Sequence, residues 1–535
     1  MRIALAQFDF PVADISGNVS RIIDCSRMAR DQMGAKLVVF PELSLCGYLA
    51  EDLFLRADFM RQCQDALERL VTQIQGIDAV VGHPLSVQGK MFNALSWIRN
   101  GQIIGQYFKQ ALPNYTVFDE KRYFTPGNQA LVVELGDVRI APIICEDLWE
   151  ASPARLAVQA GAQLIVSINA SPYGLTNRRN RLAVIQDRAR QHQIPIAYVN
   201  VVGGQDELVF DGASMVANAQ GQLLGPAASF EDGLIVLDFD PSSRNWTPVN
   251  WKPSTQSDTQ IIYQALVRAT RDYVSKNNFA GVLLGLSGGV DSALTLTIAV
   301  DALGKDRVSA YMLTSPHTSQ LSVDLAREQA QRLGVAYHQL NIQACMEASA
   351  QTLAPVFSGL NVDTTEENIQ SRIRGLLLMA LSNKTGQMLL STGNKSELAV
   401  GYATLYGDMC GGFAPLKDVY KTQVYALCQY RNQHDPVILP AIIARPPTAE
   451  LKPNQLDQDS LPPYDVLDAI LERFVEQDEG IEQMVSAGFE RAVVERVVSL
   501  VLRSEFKRQQ SAPGPRINHR AFGRDRRYPI SSAWR

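Results

Sequence analysis

GVLLGLSGGVDS, residues Gly281 to Ser292, turns an apolar run into a helix through two adjacent glycines. Val282 to Leu286 has the length and composition of a buried strand, and an alanine- and leucine-rich helical run follows. A junction of this kind is an anion site. Its glycines let backbone N–H groups approach phosphate oxygens, and the helix N-terminus adds partial positive charge. The hydroxyls of Ser287 and Ser292 add donors, and Asp291 is a carboxylate able to hold a magnesium ion beside the phosphates. The Walker phosphate loop is excluded, because it needs a Lys-Ser/Thr pair after its second glycine.

Beyond the loop, strand and helix alternate. Val308–Leu313, Ala336–Leu340 and Met388–Leu390 read as strands, with helices near Thr259–Ser275 and Ser322–Leu333. This alternation predicts a doubly wound parallel sheet with its nucleotide outside the carboxyl ends of the strands. Asp465 to Arg508 reads as helical. The arginine-rich end RINHRAFGRDRRYPISSAWR, 516–535, reads as a solvated or subunit-covering tail, because a chain of net charge -5 has no overall attraction to nucleic acid.

Upstream, the polar, proline-bearing stretch Asp240 to Asp258 is the best linker in the chain. It suggests one domain over 1–245, a linker over 246–258 and a second domain over 259–535. In the first, strands are expected at Ile3–Phe8, Leu37–Phe40, Ala79–Gly82, Ala94–Ile98, Ile103–Phe108, Val138–Ile144, Leu164–Asn169, Ile196–Val202 and Leu234–Phe239. Helical spacing runs through Asn18–Met33 and Asp58–Gln75.

Two domains also follow from 535 residues, more than one core holds. Apolar content of 46% and charged content of 20% are ordinary for a globular protein. Seven scattered cysteines, with no C-x-x-C pair, suit a reducing cytoplasm. MRIALAQFDF reads as a first strand and not as a signal peptide, and no apolar run is long enough to span a membrane.

Three segments of the first half place polar residues at strand ends. LVVFPELSLCGY carries Glu42. YFKQALPNYTVFDEKRYFTPG carries Lys109 and Glu120. IAPIICEDLWE carries Cys145. Together they resemble the nitrilase, or carbon–nitrogen hydrolase, superfamily, whose Glu-Lys-Cys triad occurs in this order and these contexts. The resemblance covers nearly all of residues 1–240. Lys109-x-x-Leu-Pro, followed by Phe118-Asp-Glu-x-Arg-x-Phe-x-Pro-Gly127, is its most specific phrase. It implies an α-β-β-α sandwich. It also implies Glu42 as general base, Cys145 as nucleophile, Lys109 with a backbone N–H as oxyanion donors, and Glu120 as an orienting group. SINASPYGLTNRRNRL is similar to the segment of glutaminase members that holds the amino acid head group, so Ser171 and Tyr115 would touch L-glutamine. Those relatives place a basic residue six positions past the serine. Here Asn177 stands at that position with Arg178 beside it, and either is a candidate for the substrate carboxylate.

The phosphate loop resembles the PP-loop of the ATP pyrophosphatases, an adenine nucleotide alpha hydrolase-like fold that cleaves ATP between its alpha and beta phosphates. That resemblance assigns Gly285, Leu286, Ser287, Gly288, Gly289, Val290, Asp291 and Ser292 to ATP. Segments further on resemble the NAD synthetases. TTEENIQSRIRG carries Asn368, Arg372 and Arg374, and STGNKSELAVGYATLYGD carries Thr392 and Glu397. PLKDVYKTQV carries Lys421, ARPPTAEL carries Thr448, and SEFKRQQ carries Lys507. The resemblance implies ATP contacts at Thr392, Lys421 and Thr448. It implies deamido-NAD contacts at Asn368, Arg372, Glu397 and Lys507, and magnesium held by Asp291 and Glu397. One departure is visible: ammonia-using relatives have a lysine where Leu405 stands here.

A nitrilase-type half joined to a PP-loop half resembles the glutamine-dependent NAD synthetases. The family implies ATP-dependent amidation of deamido-NAD with ammonia from L-glutamine, passed through a tunnel, in a cytoplasmic homo-oligomer. Two alternatives stand beside it. One is an amidotransferase adenylating another acid, although GMP and asparagine synthetases carry other glutaminase domains. The other is a nucleotide-binding regulator with dead sites, which the intact Glu42, Lys109, Cys145, Asp291 and Glu397 disfavour.

Overall fold

A computed structural model describes every residue except Lys252, His434, Asn454 and Arg535. The chain forms two compact units, Met1–Gln256 and Ser257–Arg535.

The first unit is built on strands buried on both faces. In Arg2–Gln7, Ile3 and Leu5 point one way and Ala4 and Ala6 the other, as a period of two requires. Ile3 and Leu5 join Val39, Val80 and Trp97 against Ile140, Ile143 and Ile168 of a second sheet. Ala4 and Ala6 join Val38 against Ile22, Cys25, Phe59 and Leu67 of the helices Ile15–Asp31 and Ala57–Gln73. On the far side, Ala154, Ala157, Ile185 and Ala189 bring the helices Ala151–Gln159 and Leu175–His192 onto the second sheet. The layers are therefore helix, seven-stranded sheet, six-stranded sheet, helix. Within each sheet a central set of strands runs parallel: Arg2–Gln7, Leu37–Val39 and Asp78–Val87 in one, and Val138–Ile144, Leu164–Asn169 and Ile196–Asn200 in the other.

The expected linker is shorter than its composition suggests. Asn245–Pro248 pairs antiparallel with Gly233–Asp240 as an edge strand. The Asn250 side chain accepts from Val236 N at 2.8 Å, and Trp251 is buried in the core between the sheets. An edge strand with one face in solvent has a polar sequence, which explains the misreading. Lys252 lies outside the described residues. Ser257 then caps the helix Asp258–Lys276 by accepting from Gln260 N at 3.3 Å.

The second unit centres on a four-stranded, wholly parallel sheet. Its spatial order is Ala336–Asn341, Val308–Thr314, Val282–Gly285, Met388–Leu390. The chain returns to the far side of Val282–Gly285 for its last strand, so that strand sits at the reversal of strand order where doubly wound sheets bind ligands. The expected helical region from Asp465 is interrupted, into Tyr464–Leu471 with a wide turn at Glu472–Glu476, Ile481–Ser486, Arg491–Arg503 and Glu505–Arg508. Gly488, at φ +103°, marks one break.

The first residues of the arginine-rich end are not solvated, although Ile530 and Trp534 near its close are exposed. Arg516 and Ile517 are buried, and Arg516 pairs with Asp525. The backbone N–H groups of Ile517 and Asn518 both donate to Asp418 at 2.8 Å. Arg520 and Arg526 meet Asp478, and Arg526 also donates to Val475 O. Guanidinium groups that find carboxylates and carbonyl groups can be buried, a satisfaction that composition does not reveal. Arg535 lies outside the described residues. No helix among the described residues is long and apolar enough to cross a membrane.

Candidate active sites

Glu42 follows the strand Leu37–Val39, Lys109 follows Gln102–Phe108, and Cys145 follows Val138–Ile144. Three strands distant from one another in the chain thus deliver their ends to one buried place. Lys109 Nζ lies 2.7 Å from Glu42 Oε1 and 2.7 Å from Glu120 Oε1, and all three side chains are essentially without solvent exposure. Glu42 Oε1 also accepts from Asn93 Nδ2 at 2.7 Å, and its Oε2 accepts from Ala170 N at 3.0 Å. Tyr48 donates to Glu120 at 2.9 Å. Each carboxylate oxygen that burial would penalise therefore has a donor.

These charges act on one another. Burial alone would pull the Lys109 ammonium down, but Glu120 and Glu42 outweigh it and hold it well above its ordinary value. Burial raises the Glu120 carboxyl to about 7, with Glu42 adding to the rise and Lys109 opposing it. Burial, reinforced by the Glu42 charge, raises the Cys145 thiol well above its usual range. The thiol is thus held as a thiol and needs a base to become a nucleophile. Cys145 has φ 46° and ψ -98°, an uncommon conformation for a residue other than glycine, at the turn into the short helix Glu146–Trp149.

Around this cluster, Tyr115 is half exposed and donates at 3.0 Å to Glu146, the residue that follows Cys145. Ser171 N donates to Asn200 Oδ1 at 2.9 Å. Asn177 and Arg178 both lie in the first turn of Leu175–His192, and Arg178 Nε is buried without a hydrogen-bond partner. Asn93, Tyr48 and Asp147 escaped the sequence reading. Most of their partners are tens of residues away, and no local pattern marks them.

In the second unit the phosphate loop leaves Val282–Gly285 and enters the helix Val290–Leu303. Ser287 N donates to Ser292 Oγ at 3.2 Å, Gly289 N donates to Ser287 Oγ at 3.2 Å, and Ser292 Oγ donates to Gly289 O at 3.0 Å. The serines hold the turn closed. Gly288 has φ +81°, and a Cβ there would lie 2.6 Å from Ser322 O. Only glycine fits both demands.

A cavity of about 300 Å³ opens over this loop. Gly285 to Ser287, Gly289 to Ser292, Thr392, Glu397, Lys421 and Thr448 line it, together with Arg374 and Asp457. Gly288 sits behind the lining. Lys421 Nζ lies 2.5 Å from Asp291 Oδ2 and 3.2 Å from Glu397 Oε1, and Asn394 Nδ2 donates to Asp291 Oδ1 at 2.9 Å. Burial, with Asp291 adding to it and Lys421 opposing, raises the Glu397 carboxyl to about 8. Two carboxylates that close around one ammonium also suit a hard divalent ion. Among the described residues no three His, Cys, Asp or Glu side chains form a metal cage. A magnesium ion here would need further oxygens from substrate phosphates, its usual mode of binding.

Asn368, Arg372 and Lys507 do not line that cavity. They brace the turn beside it. Thr404 donates to Asn368 at 2.8 Å, Arg372 donates to Leu405 O at 3.2 Å, and Lys507 donates to the Gly401 and Ala403 carbonyls at 2.7 Å each. Thr448 donates to Gln455 O at 2.5 Å. Its loop is latched to the helix Gln320–Leu333 through Arg445, Glu450 and Ser322, with Arg445 2.6 Å from both Glu450 and Ser322.

Two family models match the chain: Carbon-nitrogen hydrolase over residues 2–248 and NAD synthase over residues 262–511. The chain is 51% identical over 539 residues to the glutamine-dependent NAD(+) synthetase of Xanthomonas campestris pv. campestris, covering 100% of this chain and 98% of that protein. It is 47% identical to the glutamine-dependent NAD(+) synthetase of Acinetobacter baylyi, covering 100% and 99%. Among solved structures, it is similar to the glutamine-dependent NAD+ synthetase of Acinetobacter baumannii in complex with adenosine diphosphate. That likeness has 45% identity and a TM-score of 0.81, over 100% of this chain and 99% of that one. A glutamine-dependent NAD(+) synthetase from Cytophaga hutchinsonii shares the fold, with a TM-score of 0.85 at 21% identity over 100% and 98%.

Proposed function

The chain belongs to the glutamine-dependent NAD(+) synthetases, and from that premise we propose how its own residues divide the reaction. Glutamine is hydrolysed in the first unit. The second unit amidates deamido-NAD to NAD at the expense of ATP, yielding AMP and diphosphate.

In the first unit, Glu42 takes the proton of Cys145. The sulfur attacks the glutamine amide carbon, and the oxyanion that forms is met by Lys109 and by the backbone N–H after Cys145. Glu42 returns that proton to the amide nitrogen, ammonia leaves on collapse to the thioester, and water, giving up a proton to Glu42, then releases glutamate. Glu120, bound to the same ammonium, orients Lys109 and helps to hold the hydrolytic water. The observation that carries this assignment is the buried Glu42–Lys109–Glu120 cluster beside a thiol that needs a base. Tyr115 and Ser171 hold the amino acid. Arg178 takes its carboxylate in preference to Asn177, because its buried Nε has a hydrogen bond to give.

In the second unit, the phosphate loop, Thr392, Lys421 and Thr448 hold ATP, and Asp291 and Glu397 would hold magnesium. When bound, that ion neutralises the negative charge of the departing diphosphate. The nicotinate carboxylate attacks the alpha phosphorus, diphosphate leaves, and ammonia displaces AMP from the acyl-adenylate. Asn368, Arg372 and Lys507 position the dinucleotide through the turn they brace, and Glu397 meets it from the cavity. Catalysis here is positioning and charge neutralisation, with no protein nucleophile.

A cytoplasmic homo-oligomer completes the reading. Seven free cysteines suit a reducing compartment. The helix Gln343–Phe357 has no buried residue, and Val356 within it and Leu360 and Val362 just past it are exposed, apolar side chains of the kind that subunits cover.

The test is Cys145→Ala, assayed for NAD formed from glutamine and from ammonium at raised pH. Loss of the glutamine route alone is expected. Retained glutamine-dependent synthesis would sink the nucleophile assignment. Diphosphate release driven by another carboxylate, and not by deamido-NAD, would favour a different acid as substrate.

A further inference from the structure

Asp147 stands two residues past Cys145, is fully buried, and has none of the roles above. Its carboxylate accepts four hydrogen bonds. Oδ1 takes the backbone N–H groups of Gln110 at 2.9 Å and Ala111 at 2.7 Å. Oδ2 takes the Tyr107 hydroxyl at 2.8 Å and the Ile144 backbone N–H at 3.2 Å. Tyr107 and Gln110 bracket Lys109 in the chain, while Ile144 and Asp147 bracket Cys145. One rigid carboxylate therefore ties the strand end that presents Lys109 to the turn that presents Cys145. That turn depends on its surroundings. A cysteine at φ 46° persists only where the neighbouring structure over-determines it.

We propose that Asp147 is a positioning residue for glutamine hydrolysis, its carboxylate setting the Lys109 ammonium against the Cys145 sulfur so that both meet the developing oxyanion. The proposal rests on the reading of Lys109 as oxyanion donor and Cys145 as nucleophile. All four of its partners donate. Asp147→Asn keeps the shape but replaces one acceptor oxygen with an NH2 that faces donors. The strand end and the turn then lose their common tie while Tyr115, Ser171 and Arg178 still hold the substrate.

The experiment compares Asp147→Asn, Tyr107→Phe and Cys145→Ala in the full-length enzyme. Glutaminase kcat, KM for glutamine, melting temperature and ammonium-dependent NAD synthesis are measured for each. A misplacement of about 1 Å costs about 100-fold in such chemistry, so Asp147→Asn should lose about 10- to 100-fold in kcat. KM should stay within about twofold, because ground-state binding is untouched. Ammonium-dependent synthesis should match wild type. Tyr107→Phe, which removes one donor of four, should lose less and in the same pattern. If Cys145→Ala still hydrolyses glutamine, the underlying reading falls and this proposal falls with it. If Cys145→Ala is inactive while Asp147→Asn keeps wild-type kcat, only the positioning role is overturned. A lowered melting temperature with unchanged kcat per folded molecule overturns it too, since Asp147 would then serve the fold alone. Should Asp147→Asn not fold, Tyr107→Phe decides: unchanged kcat refutes, and a fall in kcat at constant KM supports.

Discussion

Lys109→Ala perturbs two things at once, and the structure separates them. The ammonium touches Glu42 and Glu120 at 2.7 Å each, so their nearest oxygens are no more than about twice that distance apart. At such a separation two carboxylates, both ionised only above the Glu120 value of about 7, repel by about 3 kcal/mol at an effective dielectric of about 20. Removing one partner of a buried ion pair costs about 3–5 kcal/mol. For a unit of this size that is a fall of about 10 °C in melting temperature. Loss of the oxyanion donor adds about a 100- to 1000-fold fall in the rate of glutamine hydrolysis. The two effects part in the double variant Lys109→Ala/Glu120→Gln, which removes one of the facing charges. It should regain part of the lost stability and none of the hydrolysis. The assays are thermal unfolding, glutamate release, and NAD formed from ammonium as a control on the second unit. Hydrolysis by Lys109→Ala within tenfold of wild type would refute the oxyanion role. A double variant no more stable than the single would refute the electrostatic account of the cluster.

Three further outcomes are expected. Gly288→Ala should raise KM for ATP and slow NAD synthesis with either nitrogen source while glutamine hydrolysis persists, because a Cβ at φ +81° would lie 2.6 Å from Ser322 O; steady-state kinetics with both substrates checks it. The Glu120 carboxyl, raised from 4.5 to about 7, binds its proton more tightly in the folded state, so its contribution to stability is complete below about pH 4.5 and is lost as pH rises through 7. Urea midpoints of the first unit should therefore fall more steeply over that window in wild type than in Glu120→Gln, and parallel slopes would contradict the shift. A fragment beginning at Ser257, which caps the helix Asp258–Lys276, should fold better than one beginning at Ser254, whose N–H donates to Pro226 O at 2.8 Å within the first unit; soluble yield and ammonium-dependent synthesis compare them.

The phosphate loop was legible because everything that makes it is contiguous. An apolar run, two glycines and a helical run state a strand, a turn and a helix N-terminus without reference to the rest of the chain. The strands of the first unit were legible for a similar reason, since strands buried on both faces read as apolar runs such as Leu37–Val39, whereas their layering was implied only by the family resemblance. The start of the arginine-rich end misled because charge in a sequence does not say whether it is satisfied. Asp418 accepts the Ile517 and Asn518 N–H groups across about 100 residues, and no local pattern records that.

By itself, the sequence placed the candidate residues at strand and helix ends, because strand period, helix period and glycine turns are local properties, while the chemistry proposed for them comes from family resemblance. Only the tertiary structure decided their company. It put the Lys109 ammonium between Glu42 and Glu120, set Lys421 between Asp291 and Glu397, and placed Asn93, Tyr48 and Asp147 where each supports a neighbour. The physical reason is that burial makes each of these groups costly unless it is paired, and the pairing partner is chosen by sheet order and strand register, which bring together residues distant in the chain.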